Sequence, residues 1–352
     1  LFTTSIGLPF FAVSASAPLL QAWFSDTGHA HGSDPYFLYG ASNLGSFFTL
    51  LAYPVLIEPL LALGDQSRLW AAGYLALFLA IAACSLLARK SRNAALAAPE
   101  VGAVAALAPV TWAERARWAG LAFVPSALLI ALTAHLSTNI AAVPFLWVLP
   151  LATFLLTFVL AFQRSPILPP RAVELLLPAS VIVAMLSYAF ATPFGGLSGI
   201  AINLFAFLII ALAWHNALAA RRPPAAQLTE FYLCMSAGGV LGGAFTSLAA
   251  PVLFDQVIEY PLLLVLAFLV VPEARKLLRP RLALPGLALL LLGLAALQAS
   301  GRVEYRDRSF FGVVSTQLSP DGAFRLLGHG TTIHGAERLA DLSALGTPGA
   351  RP

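Results

Sequence analysis

The chain has 352 residues, of which 59% are hydrophobic and only 10% charged, with a formal net charge of +4. A soluble globular domain carries about 25% charged residues because its surface must be wetted, so a soluble enzyme, a nucleic-acid-binding protein and a disordered linker are excluded as readings of the whole chain. The expected solvent is lipid, and the positive charge suits it: apart from Lys90 and Lys276 the cations are arginines, most of them clustered between apolar runs.

A helix needs about 20 mostly apolar residues to cross the hydrocarbon core. On that criterion ten spans are predicted, at 1–23, 36–62, 69–88, 118–136, 141–162, 172–190, 195–217, 229–252, 260–272 and 282–299. The expected fold is an all-α polytopic membrane protein of about ten transmembrane helices, ending in a short C-terminal β-hairpin that begins a truncated soluble domain. The chain starts at Leu1 with no Met and no basic n-region, and reads as a fragment or processed product. Pro54, Pro59 and Pro144 are predicted to kink their helices, which neighbouring helices can accommodate. An Ala/Pro-rich stretch divides the spans. The expected organisation is 1–92 for helices one to three, 93–117 for the linker, 118–300 for helices four to ten and 301–352 for the soluble start. Two unequal halves would suit an internally duplicated, transporter-like domain. Cys84 and Cys234 fall within apolar runs and read as small buried hydrophobes, with no disulfide framework or metal-binding pair.

The loops alternate in charge. Those after the odd-numbered spans hold Arg89, Lys90, Arg92, Arg115, Arg117, Arg164, Arg171, Arg221, Arg222, Arg275, Lys276, Arg279 and Arg281; those after the even-numbered spans hold Arg68 alone. The positive-inside rule places the odd loops in the cytoplasm and the segment after span ten outside. From Arg302 the composition changes. Two short strands are predicted around 310–317 and 323–327, joined by Ser319-Pro320-Asp321-Gly322, a good hairpin signal.

Ionisable groups within spans are the sharpest functional signal, because a charge in hydrocarbon is costly. Glu58, between Pro54 and Pro59, is either a proton- or cation-binding carboxylate at a broken helix or an interfacial acid at a helix end. His135 and Asn139, four apart, share a face if the helix continues through Ser137 and Thr138; they line a cavity or form a short interfacial loop. His215 and Asn216 follow Trp214 beside Arg221 and Arg222, the pattern of a membrane anchor. Glu230 opens the eighth span, where an acid complements the helix dipole. Gly238, Gly239, Gly242 and Gly243 form two overlapping small-xxx-small registers that let another helix approach closely; a phosphate loop would need a preceding strand and a following Lys. His29 and His31, near Asp26 and Asp34, read as polar loop residues rather than metal ligands, and no metal site is expected. No Ser/His/Asp set, Walker loop or acid–base carboxylate pair can be placed.

Several runs carry a resemblance: Asp34-Pro35-Tyr36-Phe37-Leu38-Tyr39-Gly40-Ala41-Ser42-Asn43-Leu44-Gly45-Ser46, Tyr53-Pro54 with Glu58-Pro59, His135-Leu136-Ser137-Thr138-Asn139, Leu146-Trp147-Val148-Leu149-Pro150, Thr229-Glu230-Phe231-Tyr232 with Gly238-Gly239-Val240-Leu241-Gly242-Gly243, and in the tail Phe310-Phe311-Gly312-Val313 and His329-Gly330-Thr331-Thr332-Ile333-His334-Gly335. In this order, over most of the chain, they resemble the membrane-fused spermidine-synthase-like family. There a multi-helix, transporter-like membrane domain precedes a synthase domain of aminopropyltransferase or methyltransferase-like fold. The resemblance implies that this chain lacks the family's first helices and stops before the glycine-rich turn and acids that bind the nucleoside cofactor, so no cofactor and no catalysis are expected of this fragment. The match breaks after Gly335: Glu337 stands where a Gln is expected, and 339–352 departs from the pattern. The resemblance also suggests that Glu58 and Glu230 attract a polyamine or other small cation, with His135 and Asn139 as wall residues and Tyr232 in the same matched motif. It places the loop of Thr331 and Thr332, with His329 and His334 beside it, near the substrate pocket of an intact synthase domain. The expected partners are the lipid bilayer and other membrane helices, with no nucleic acid, in a bacterial inner membrane. A secondary transporter and a passive anchor or scaffold are the competing classes.

Overall fold

An apolar segment in oil can satisfy its backbone only within itself, as a helix or a closed barrel, and the long apolar runs of this chain are helical. The computed structural model describes residues 3–96, 108–140, 145–189, 196–270, 303–330 and 332–339. In order the helices are α1 (Leu8–Ser25), α2 (Phe37–Ala52), α3 (Glu58–Leu60), α4 (Leu63–Leu96), α5 (Trp112–His135), α6 (Val148–Ala161), α7 (Pro170–Ala189), α8 (Gly196–Ala219), α9 (Leu228–Ala244), α10 (Ala250–Leu253) and α11 (Glu259–Val270). Among the described residues six helical stretches are long and apolar enough to cross a membrane: Phe37–Leu60, Leu63–Ser91, Trp112–Thr138, Pro170–Ala189, Gly196–Ala219 and Ala225–Leu253. The protein is a multi-pass membrane protein, with six such helices among the described residues, where the sequence led us to expect ten in the whole chain. The difference has physical causes. α6 has 14 residues and α11 has 12, about 21 and 18 Å of helix, short of a hydrocarbon core of about 30 Å. In α1, Ser14, Ser16, Gln21 and two prolines dilute the apolar run. The expected span at 282–299 lies outside the described residues, as do residues 97–107 of the linker at 93–117; α4 runs on to Leu96 and α5 begins at Trp112.

Proline shapes three of these rods in the same way. Wide π turns occupy Thr3–Gly7, Tyr53–Ile57 and Phe245–Ala249, and in each case a proline follows two residues later, at Pro9, Pro59 and Pro251. A proline ring crowds the carbonyl four residues before it and offers no N–H. In the second and third turns the preceding residue reaches back five positions instead, Glu58 N–H to the Tyr53 carbonyl and Ala250 N–H to the Phe245 carbonyl. The widened turn makes room for the ring. At Pro54 and Pro59, where kinks were expected, the helix carries a widened turn and then ends at Leu60; Pro144 lies outside the described residues. A fourth π turn, Leu136–Ile140, closes α5.

The chain forms two compact units. The first comprises Leu1–Ala122, Leu155–Pro169 and His215–Gly238, the second Phe123–Phe154, Pro170–Trp214 and Gly239–Pro352. Tyr36, Trp118, Phe162 and Phe231 are the large buried side chains of the first; Leu128, Leu132, Leu177, Phe207, Ile210 and Tyr260 are those of the second. None of the most apolar stretch of α4 is buried, and Leu69, Trp70, Leu75, Phe78, Leu79, Leu86 and Leu87 are all exposed, as suits a helix surrounded by lipid.

The glycines of α9 sit against the backbone of α5. In the first unit a Cβ on Gly238 would strike the Ala119 carbonyl; in the second, one on Gly242 would strike the Phe123 carbonyl. Thr246 then donates its hydroxyl to the Ala127 carbonyl at 3.1 Å. Close backbone approach is what small residues permit between membrane helices. Gly238→Val or Gly242→Val is expected to push the facing backbone away and lower the thermal midpoint in detergent markedly. Gly243→Ala, with nothing within 4 Å of the added carbon, is expected to leave it in place. Equal losses at all three positions would discard the packing role.

The tail is more than the expected short C-terminal β-hairpin. It is a four-stranded antiparallel sheet in the order β1 (Val303–Ser309), β2 (Gly312–Leu318), β3 (Phe324–His329) and β4 (Thr332–Arg338). The two strands read from the sequence are β2 and β3; β1 and β4 flank them, in keeping with the marginal stability of a lone hairpin. In the β2–β3 turn the Asp321 carboxylate accepts hydrogen bonds from the Ser319 hydroxyl and the Ala323 N–H. These hold its carboxyl below the usual range. Gly322 takes φ +70°, open to glycine. The β1–β2 and β3–β4 turns share one end of the sheet, and the β2–β3 turn lies at the other.

Candidate functional site

In the second unit α5, α7, α8 and α11 each contribute polar side chains to one buried cluster. Asn203 on α8 is fully buried. Its Nδ2 donates to Ser187 Oγ of α7 at 2.9 Å and to the Gly199 carbonyl at 2.8 Å, and its Oδ1 accepts from the Tyr260 hydroxyl at 2.6 Å. The His135 ring stacks on Tyr260, with centroids 4.7 Å apart and an interplanar angle of 12°, and lies 5.2 Å from Tyr188. The Tyr188 hydroxyl donates to the Val257 carbonyl at 3.3 Å. An isolated amide inside a membrane protein is costly. Here the amide, the Tyr260 phenol and the serine satisfy one another, with Tyr188 satisfied by a backbone carbonyl, and such a network fixes the register of the helices that carry it.

Next to this cluster lies a buried ion pair. Glu259, at the start of α11, is wholly buried, and its carboxylate accepts two hydrogen bonds from Arg308 of β1, at 2.9 Å (Nη1 to Oε2) and 2.6 Å (Nη2 to Oε1). The Arg308 side chain is 6% exposed; Nη1 also donates to the Gln256 carbonyl. The planar guanidinium meets the carboxylate with two parallel bonds, the strongest and most directional form of such a contact. A second contact falls at the same end of the sheet. Gly330, with φ +58°, turns β3 into β4 so close to the π turn after α5 that a Cβ would strike the Thr138 carbonyl. The sheet is therefore docked on the ends of α5 and α11 by backbone proximity and by one fully paired charge. Since Arg308 neutralises Glu259 in place, this acid has no free charge to offer a cation.

The first unit gathers arginines at one set of helix ends. Glu114 pairs with Arg117 at 3.1 Å and with Arg221 at 3.2 Å, Glu230 pairs with Arg115, and Asp34 pairs with Arg222 at 2.9 Å. The Arg164 guanidinium covers the Phe37 ring at 3.9 Å, and Trp118 Nε1 donates to the Arg221 carbonyl at 3.1 Å. Partly exposed pairs of this kind contribute little stability; they hold the cations in place. Beneath them the Tyr36 hydroxyl donates to the Pro223 carbonyl at 2.8 Å and the Tyr232 hydroxyl to Gln21 Oε1 at 2.7 Å. Burial pushes the Tyr36 phenol above its ordinary pKa, with Arg222 opposing and Asp34 adding to the rise, so it stays a neutral donor. Thr157 Oγ1 and His215 Nδ1 are 2.8 Å apart, and Phe158 stacks on the His215 ring at 3.8 Å. His215, near the end of α8, is thus fully buried among protein side chains.

The residues singled out in the sequence divide between the units. Glu58, Glu230 and Tyr232 belong to the first, His135 and Asn139 to the second. Glu58 begins α3 and is exposed; Glu230 is occupied by Arg115; His135 sits in the aromatic cluster. Asn139 falls in the π turn, its side chain outside what is described. His329 Nε2 occupies the space a Cβ on Gly312 would need, and its ring lies 5.9 Å from that of His334. His334 and Thr332 are exposed on β4, and Thr331 is outside the described residues. Cys84 is exposed on α4, none of whose most apolar stretch is buried, and Cys234 is half-buried, where burial was expected of both. His31 N–H donates to His29 Nδ1 at 3.2 Å. Among the described residues no group of three or more His, Cys, Asp or Glu is placed to hold a metal. The four antiparallel strands contain no strand–glycine turn–helix of the kind that cradles a nucleoside.

Sequence reasoning missed Asn203, Tyr188, Tyr260, Glu259 and Arg308. Asn203 carried a usable signal, a single amide in the middle of a long apolar run. Glu259 carried another, an acid directly before an apolar run. No family model matches the chain, and no curated protein or solved structure matches it either.

Proposed function

We propose that this chain is the membrane part of a protein resembling the fused spermidine-synthase-like family, in which the helices anchor and orient a polyamine-synthase-like domain beginning at β1. The observation that carries this reading is the bidentate pair of Glu259 and Arg308. A buried ion pair adds little net stability, yet breaking it leaves an uncompensated charge, so it favours one docked register over others. A sheet held in this way serves as a foundation for further soluble structure. Glu58, exposed beside Pro59, is the carboxylate best placed to meet a cationic substrate; Glu230 would first have to release Arg115. The full-length protein, with the synthase-like domain that the resemblance implies, isolated from its native membrane in detergent, should transfer an aminopropyl group from a nucleoside-borne donor to a diamine. Absence of product from a protein with an intact thermal transition rejects the reading.

One observation favours a second reading, a secondary transporter: the buried polar cluster around Asn203 and His135 lies among membrane helices, where polar groups commonly mark substrate paths. Uptake of labelled polyamine into proteoliposomes, reduced by Glu58→Gln, would support transport. Aminopropyl transfer without uptake supports the anchor.

A further inference from the structure

The β1–β2 turn presents Phe310 and Phe311 side by side, 64% and 92% exposed. Two fully wetted phenylalanines at the tip of a polar hairpin are out of place in water. Their position accounts for them. β1 lies against α10, and α10 (Ala250–Leu253) forms the last four residues of the span Ala225–Leu253. Arg308, two residues before Phe310, is anchored to the Gln256 carbonyl and to Glu259, three and six residues beyond that span. A strand advances about 3.3 Å per residue, so the turn lies at the edge of the hydrocarbon, where each leaflet has a polar interface several ångströms deep. α10, which β1 lies against, exposes Val252 and Leu253, 75% and 64%, so exposed apolar side chains occur both on the helix and at the turn that ends the strand packed on it. Trp147 and Phe145, 49% and 46% exposed, precede α6 in the same unit, following the π turn whose Thr138 carbonyl meets Gly330. Aromatic residues collected at one level of a membrane protein mark its lipid interface.

We propose that Phe310 and Phe311 insert into the lipid interface beside α10, making the β1–β2 turn a membrane-dipping tip of the sheet. The occupant is the bilayer that already surrounds the neighbouring helix. Arg308 holds the tip at the required depth, and the two rings fix the tilt of the sheet against the membrane surface. This contact does not depend on which reaction the soluble domain performs.

The test uses the full chain with Cys84→Ala and Cys234→Ala and a nitroxide on Phe311→Cys, reconstituted in phosphatidylethanolamine–phosphatidylglycerol vesicles. Power saturation compares collisions with dissolved oxygen, which concentrates in lipid, and with a water-soluble nickel chelate. The expected ratio of oxygen to nickel accessibility at 311 is severalfold above that at a nitroxide on Asp321→Cys, in the turn at the other end of the sheet. A nitroxide on Phe310→Cys should follow 311. Nickel access at 311 equal to that at 321 places the tip in water and overturns the proposal. Low access to both reagents overturns it as well, because the tip is then covered by protein, whether a further segment or a second copy.

Discussion

Arg308→Ala is expected to destabilise the docked sheet by about 3–5 kcal/mol, the usual cost of stripping one partner from a buried ion pair. Glu259 is wholly buried and Arg308 almost so, so the loss leaves a carboxylate in a place where water cannot reach it. At about 1.4 kcal/mol per factor of ten, the undocked population rises roughly a hundredfold or more. Protease cleavage within β1–β4 of the detergent-solubilised protein reads that population directly. Glu259→Gln should act in the same direction by orphaning the guanidinium. The double variant Glu259→Leu/Arg308→Met should recover most of the stability, because apolar replacement of both partners removes the desolvation penalty as well as the attraction. An Arg308→Ala protein cleaved at the rate of the parent would show that the pair does not hold the sheet.

The second large effect concerns sidedness and is all-or-none. α5 carries Arg115 and Arg117 in its first turns and ends in the π turn that meets Gly330. Arg164, Arg221 and Arg222 of the same unit gather at the end of α6 and between α8 and α9. By contrast the connections 136–147, 190–195 and 254–258 contain no Lys or Arg. Positive charge is retained in the cytoplasm, so the sheet is expected on the opposite face. With Cys84 and Cys234 replaced by alanine, Asp321→Cys should be labelled by a membrane-impermeant maleimide in intact cells. Ala220→Cys, in the exposed turn after α8, should react only after permeabilisation. The reverse pattern would place the sheet in the cytoplasm and set aside the charge argument.

The membrane character of the chain was legible because apolar runs need no partner to be recognised; composition alone reveals them. The number of crossings was not, since α6 and α11 are strongly apolar yet shorter than the core they would cross. Likewise Ser319-Pro320-Asp321-Gly322 marked β2 and β3 through local turn chemistry, while β1, with Glu304, Arg306, Asp307 and Arg308, shows no apolar alternation. Its place in the sheet comes from pairing with β2 and from the helices it lies on. His135 could be flagged as an imidazole within a span. Its partners Tyr188 and Tyr260 could not, because tyrosine is ordinary at a membrane interface and only folding brings these two together. The pairing of Arg308 with Glu259 joins residues 49 apart, a contact with no trace in local sequence.

The widened turns have a consequence for how these rods present their faces. Each residue of an α-helix advances the side-chain direction by about 100°, so a turn that accommodates one more residue rotates everything after it by about that angle. In Ala225–Leu253 the bulge at Phe245–Ala249 therefore separates two azimuths. α9 turns Gly238 and Gly242 toward backbone, whereas Val252 and Leu253, after the bulge, look outward. A helical wheel drawn straight through the segment would assign some of these side chains to the wrong neighbour. Proline here works as a phase shifter, letting one continuous rod serve protein along one stretch and lipid along the next.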